Sequence, residues 1–533
     1  MRIHILTVTL VIPMMLASGF FLARGSVDGL GDTDGLFDSG AAQPNQIETI
    51  FLALDRTDVD VPVERPGSGG ALTSWDDALI VMTHEGGFFD VTGDEAVPLD
   101  IAAPPNGWAD MLEFESDNSN YSFAHFYFRY NDLHVIDEQL YVSFTEWVAQ
   151  DDCYRTTLAR APLQAGADRP TIGNDDWSII FATAPCLAPS MTGRAIQGHM
   201  AGGRFDVGSD GMIYLASGDY ALDGNYANPV ISQDPATDYG KVLMIDPATG
   251  QVETLSQGHS NPQGIVVTDA SDIYTVEHGR RGGDELNRIV FGSDFGWPQV
   301  SLGTRYNRLP LPNTREYGRH PDFPLPVFAW LPSVAPSALM QIDGFDSSWD
   351  GDLLAGTLAS QSLVRIRIAD GRVLFDERIA IGERVRYAYQ FDDVIALWTD
   401  SKKVVKLTAG EFDPSAQFAV ALIPDLGLGS TAERNTEVAL DQCIECHSLG
   451  VVDGANAPAL GAVFGREIAS GNFDYSDGLA AVNGIWSRES LIAYITDPDG
   501  FAPGTSMPNP QIGDEEIVAA LVDILQALAG NPE

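Results

Sequence analysis

SDGMIYLASGD (residues 209–219), ASDIYTVEHG (270–279) and WDGDLLAGTL (349–358) are weakly self-similar, and their reading decides the fold. Each places Gly or Asp ahead of a short run rich in Val, Ile, Leu or Tyr, then a polar turn. Six such runs read as strands: Ala78–Met82, Gln139–Phe144, Met212–Ala216, Asp272–Val276, Asp352–Gly356 and Asp393–Trp398. A cadence that returns every few tens of residues is the mark of repeated antiparallel blades around a channel. A sandwich pair or a β-helix is the alternative. The length of the all-β region, residues 45–410, favours a β-propeller.

Beyond that region the pattern changes. Residues 411–429 read as a Pro- and Gly-containing linker, and residues 430–533 as a small α-helical domain. Ser430 and Glu433 have capping-box spacing, with Ser as N-cap. Apolar residues at Ile517, Leu521, Ile524, Leu525 and Leu528 form a helical stripe over Asp514–Ala529, closed by Gly530.

Between these helices stands CIECH, Cys443 to His447. Cys-x-x-Cys-His is the signature of covalent haem c: both thiols become thioethers and the adjacent imidazole ligates iron. The competing readings are half a zinc site, which needs two further ligands, or a redox dithiol, which usually follows a strand. Met507, in the proline-bounded loop PGTSMPNP, is the one methionine after the motif and the expected sixth ligand of the iron.

The last hundred residues resemble class I cytochromes c. The likeness rests on Cys443, Cys446 and His447, on APAL (457–460), FGR (464–466), FDYSDGL (473–479), Trp486 and Met507. It implies that the Pro458 carbonyl orients His447, and that Tyr475, Trp486 and Arg466 hydrogen-bond the haem propionates. Mitochondrial relatives dock partners through lysines. This domain has none, so an external redox partner is expected to be basic or apolar at its contact.

The N-terminus is different again. Ile5 to Leu22 form an almost continuous apolar run closed by Arg24, which reads as a secretory signal or an uncleaved anchor over residues 1–24. An acidic leader, 25–44, follows. The expected location is periplasmic or otherwise extracytoplasmic, with no membrane contact except through that anchor. Net charge is −45, from 75 acids against 30 bases, which excludes nucleic acid and anionic lipid as partners. Such a surface suits a saline medium, where its self-repulsion is screened. Two cysteines lie outside the haem motif, Cys153 and Cys186. In an exported chain they are expected to pair, the alternative being two buried thiols.

From about Leu140 to Leu407 the chain resembles the soluble glucose/sorbosone dehydrogenase family. The likeness is strongest in GHMAGGRFDVGSDGMIYLASGD from Gly198, GHSNPQGIVV from Gly258 and EHGRRGGDELNRIVFGSDFGWP from Glu277. It implies a six-bladed propeller that binds pyrroloquinoline quinone (PQQ) and Ca²⁺ and oxidises sugars. His199 matches the base that takes the hydroxyl proton, a task suited to imidazole. Asn261, Arg384 and Arg386 match quinone-binding residues, the arginines sharing a strand face at i and i+2. The carbonyls of Gly279 and Arg280 match the calcium ligands. Three positions depart from the family: Ser260 replaces an arginine, Ala359 a lysine, and Gly198 an aspartate of glucose-oxidising members. The stretch FRYNDLHV (128–135) also lacks the family's glutamine-bearing motif.

Two functions follow. In the first, the propeller oxidises a sugar or alcohol and PQQ passes electrons singly to the haem and on to an acceptor. Fusion raises the effective concentration of that acceptor domain. In the second, motivated by Ser260 and Ala359, the propeller has lost PQQ and is a non-catalytic docking scaffold for a cytochrome c relay.

Overall fold

A computed structural model describes residues 46–530 except 119–120, 122–124, 164–168, 192–197, 317, 413, 452, 454–456 and 472. The apolar N-terminal run and the acidic leader lie outside the described residues.

The six runs singled out above are one strand from each of six blades, and always the second. They are Ala78–Thr83, Gln139–Val148, Ile213–Ser217, Ile273–Glu277, Leu353–Thr357 and Val394–Thr399. Each pairs antiparallel with an inner strand: Gly70–Trp75, Tyr130–Ile136, Gly202–Val207, Pro262–Val267, Pro336–Gln341 and Val385–Phe391 in blades 1 to 6. Second strands read clearly because they are buried on both faces, as in Leu353–Thr357, where all five residues are buried.

Blade 6 closes the ring with chain from both ends of the propeller. Ala53–Asp60 pairs with Lys403–Gly410 in unbroken register, Ala53 opposite Gly410 and Asp60 opposite Lys403. Side chains staple neighbouring blades at one end of the channel. Asp132 Oδ2 accepts from Phe205 N at 2.9 Å, and Asp206 Oδ2 from Val267 N at 2.7 Å. Gln341 and Gln390 do the same for Asp269 N and Asp343 N. The apolar core lies in the seams between blades; the largest cluster joins blades 6, 1 and 2 through Leu72, Val81, Leu133 and Trp398. Cys153 and Cys186 are disulfide-bonded, with Cα atoms 5.7 Å apart, at the edge of blade 2.

The C-terminal domain has four principal helices, Pro414–Leu422, Ser430–Ile444, Arg488–Thr496 and Glu515–Ala529. Two local expectations change. The supposed linker 411–429 contains the Pro414–Leu422 helix, whose Ala419, with Ile423 just after it, packs into the helical core. Its proline stands first, where no amide donor is lost. The N-cap of the haem-motif helix is Gly429, in extended conformation and without a side-chain cap; Ser430 is the first helical residue. The last helix is capped by Asp514, whose side chain accepts from Glu516 N. Among the described residues no helix is long and apolar enough to cross a membrane.

Candidate functional site

The inner strands of blades 2 to 6 share one irregularity. In each, the pairing with the second strand slips by one residue at the strand's first step, leaving Asn131, Gly203, Gln263, Ser337 and Arg386 bulged. Bulges twist a strand and re-aim its side chains, and they gather at rims and active sites. Here they ring one mouth of the channel. Blade 1 reaches the same rim with Gly69 and Gly70, both at positive φ; a Cβ on Gly69 would stand 2.7 Å from Arg129 Cδ.

His199, Asn261, Arg384 and Arg386 all belong to this rim. His199 sits on the single turn Gly198–Met200, ahead of the blade 3 inner strand. Burial, aided by the charges of Arg280, Arg129 and His278, pushes its pKa down to about 3. Asn261 immediately precedes the blade 4 strand and accepts from Gln263 Nε2 at 2.7 Å, so its own amide protons remain for a ligand. Arg384 and Arg386 do converge, although Arg384 precedes the inner strand of blade 6 and Arg386 is its bulged residue. Arg386 donates Nε and Nη2 to Asp400 at 2.9 and 2.8 Å, and Arg384 Nε donates to Asp400 at 3.0 Å. The two guanidiniums hold the Asp400 carboxyl down at about 2 against its burial. Arg384 Nη1 also donates to Leu358 O at 3.3 Å, beside Ala359.

Gly279 and Arg280 lie on the loop after the blade 4 second strand. Arg280 Nη2 pairs with Asp223 at 2.6 Å, and Nη1 meets Met200 Sδ at 3.3 Å, next to His199. Its guanidinium lies 4.8 Å from the Tyr226 ring and 5.1 Å from the Trp297 ring. The carboxylates nearby are already engaged. Asp284 accepts from Gly279 N, Ser333 Oγ, Val334 N and Ala335 N, and Asp223 accepts from Asn225 N and Tyr226 N. Asp219, bonded to Trp297 Nε1, is pushed up to about 8 by burial and by Asp223. A calcium ion here would therefore rest on main-chain carbonyls, the oxygen type it accepts.

Sequence reasoning missed several rim residues. Arg129 is 4 % exposed and immediately precedes the blade 2 inner strand. His84, His278 and Asp400 each directly follow a second strand, in blades 1, 4 and 6. Aligning the blades on one another would have exposed this shared position. Ser260 and Ala359 are tied into the fold, Ser260 N donating to Glu277 and Ala359 N to Val334 O. A cavity of about 300 Å³ runs along the channel behind this rim, lined by the stapling residues Asp132, Asp206, Gln341 and Gln390 with Tyr387 and the buried Arg204, whose guanidinium donates to Gly70 O at 3.1 Å and Arg386 O at 2.9 Å.

In the C-terminal domain the haem motif emerges from the end of the Ser430–Ile444 helix. His447 N bonds back to Cys443 O at 2.9 Å. His447 Nδ1 lies 2.7 Å from the Pro458 carbonyl; since a carbonyl only accepts, Nδ1 carries the proton and Nε2 is left for a metal. Burial and the neighbouring Cys446 push the Cys443 thiol up to about 11, the wrong direction for a reactive dithiol. Arg466 Nη2 donates to Tyr475 Oη at 3.3 Å, and Arg466 Nε is buried without a partner. The backbones of Trp486 and Arg466 are hydrogen-bonded, so the three expected propionate partners stand together. Met507 packs at the edge of the core, on a loop fixed by Tyr494 Oη and Thr505 Oγ1 at 2.7 Å. An orphaned guanidinium nitrogen and a pre-oriented imidazole fit a haem.

Comparison with known proteins agrees with this division. The family model "Glucose / Sorbosone dehydrogenase" matches residues 132–407. Aldose sugar dehydrogenase YliI of Escherichia coli is 27 % identical over 267 residues, 46 % of this chain and 66 % of that protein. A cytochrome c homolog of Rickettsia felis is 36 % identical over 107 residues, 20 % of this chain and 60 % of that protein. Both matches span just under two thirds of the relative's length or less. In fold, the apo-form of E. coli soluble aldose sugar dehydrogenase superposes with a TM-score of 0.53 at 19 % identity, covering 67 % of this chain and all of the other. The chain belongs to the glucose/sorbosone dehydrogenase family, and it carries a cytochrome c domain fused after its six-bladed propeller.

Proposed function

We propose that this chain is an exported quinoprotein dehydrogenase that oxidises a sugar or related alcohol at the propeller and passes the electrons to its own haem c. The observation that carries this reading is the gathering of Arg129, Arg280, Arg384 and Arg386 at one channel mouth of a chain whose net charge is −45. Against so acidic a background, four guanidiniums, set against the two carboxylates Asp223 and Asp400 that pair with three of them, suit an anionic ligand, and PQQ is a tricarboxylate.

Bound at this rim, PQQ would supply the acceptor for a hydride from the substrate's hydroxyl carbon. Arg384 and Arg386 would hold its carboxylates, Asn261 would donate its amide protons, and the carbonyls of Gly279 and Arg280 would hold Ca²⁺. His199 takes the hydroxyl proton. In the cofactor-free chain its imidazole is neutral but a weak base, since Arg280 and Arg129 add to the effect of burial. An anion seated among those arginines offsets their charge and brings the imidazole toward the basicity that general-base catalysis needs. In the second domain Cys443 and Cys446 would hold haem as thioethers, His447 and Met507 would ligate the iron, and Arg466, Tyr475 and Trp486 would hydrogen-bond the propionates. An outside redox protein or membrane acceptor then collects the electrons.

The test is a titration of haem-loaded protein with PQQ and Ca²⁺, followed by a panel of aldoses and alcohols. Stoichiometric uptake and substrate-dependent haem reduction are expected. Absence of uptake with intact haem redox behaviour would overturn this reading and is what the non-catalytic docking scaffold, motivated by Ser260 and Ala359, predicts.

A further inference from the structure

Three of the rim residues hold the same place in alternate blades. Arg129, Asn261 and Arg384 are each the last residue before an inner strand, in blades 2, 4 and 6. Each is followed by a bulge at the strand's first step. Alternate blades of a six-membered ring stand a third of a turn apart, so these three side chains approach the mouth from three sides.

Arg129 is fixed there. It is 4 % exposed, donates Nε to Asn131 Oδ1 at 3.1 Å and Nη1 to Ser68 O at 3.2 Å, and its stem lies against Gly69. Glycine at 69 is what admits it, because a Cβ there would collide with Arg129 Cδ at 2.7 Å. The bonds to Asn131 and Ser68 come from neighbouring blades 2 and 1, so the guanidinium is held on the seam facing the channel. His199, His278 and His84, from blades 3, 4 and 1, all lie within reach of its charge.

We propose that Arg129 binds a carboxylate of the anionic cofactor, as a third arginine anchor beside Arg384 and Arg386, and supplies positive charge that Ser260 and Ala359 do not. This rests on the quinoprotein reading above. It also accounts for how the rim keeps its cationic character with neutral residues at 260 and 359: the charge has moved from blades 4 and 5 to blade 2.

The experiment is calorimetric titration of full-length, haem-loaded protein with PQQ in Ca²⁺ buffer at two salt concentrations. Arg129→Gln is expected to raise Kd about 10- to 100-fold, the worth of one charge-assisted contact, and to flatten the salt dependence. Arg129→Lys keeps the charge and should remain within about tenfold of the wild type. Ala359→Lys added to Arg129→Gln should recover part of the loss. Arg129→Met, which keeps the stem packed on Gly69, serves the same purpose if Arg129→Gln does not fold. Wild-type affinity in Arg129→Gln or Arg129→Met would overturn the assignment of Arg129 alone. A wild-type chain that takes up no PQQ would overturn the quinoprotein reading together with it.

Discussion

Asp400 holds Arg386 with both carboxylate oxygens, Oδ1 from Nε at 2.9 Å and Oδ2 from Nη2 at 2.8 Å, while also accepting from Arg384. The aspartate directly follows the second strand of blade 6 and the arginine is the bulged second residue of its inner strand, so one pair ties these two strands together at the rim. The side chains are only 19 % and 8 % exposed. Asp400→Asn leaves a nearly buried guanidinium without its counter-charge. Chemical denaturation should show a loss of about 3 kcal/mol.

Acid should destabilise the propeller through two of its buried histidines, His84 and His199. Burial, with Lys402 assisting, pushes the buried His84 down to about 4, and His199 stands at about 3. Between those values and the unfolded imidazole's pKa of about 6.5, the unfolded chain binds more protons than the folded one. The stability from keeping these rings neutral is therefore complete above about pH 6.5, declines as pH falls from there toward 4 for His84 and 3 for His199, and levels off below those values. His84→Asn should remove about 2–3 kcal/mol of that pH dependence, read as the difference in unfolding free energy between pH 7 and pH 4.

The Cys153–Cys186 bridge spans a sequence separation of 33. Closing a loop of that size restricts the unfolded chain by about 3–4 kcal/mol. The double variant Cys153→Ala with Cys186→Ala should fall in melting temperature accordingly, and added reductant should lower the wild type toward it.

Met507→Ala should lower the haem potential and abolish the sulfur-to-iron charge-transfer band while leaving the haem attached, because thioether sulfur raises the potential and the anchors are Cys443 and Cys446. Redox titration with visible spectroscopy reads both. A variant with the wild-type band would remove Met507 from the iron.

Much of this was legible in the sequence, and the reason is burial. Second strands such as Leu353–Thr357 are enclosed on both faces and so are apolar along most of their length, and all six showed themselves. The pentapeptide at Cys443 is equally plain, because its chemistry needs those residues at that spacing. The rim was harder. A bulge shifts the side-chain alternation by one residue, so Arg129 looked like an ordinary member of FRYNDLHV and the convergence of Arg384 and Arg386 on Asp400 could not be seen. The helix at Pro414–Leu422 was hidden by its leading proline, which reads as a breaker in a sequence and as a first helical residue in the fold.

Electron transfer inside one chain is the center of the account, and its kinetics test it most directly. Oxidised, haem-loaded protein carrying PQQ and Ca²⁺ is mixed rapidly with an aldose that it oxidises, and haem reduction is followed by absorbance at several protein concentrations. A first-order rate constant independent of protein concentration is predicted. A rate that rises in proportion to protein concentration, or a haem that stays oxidised, would contradict it.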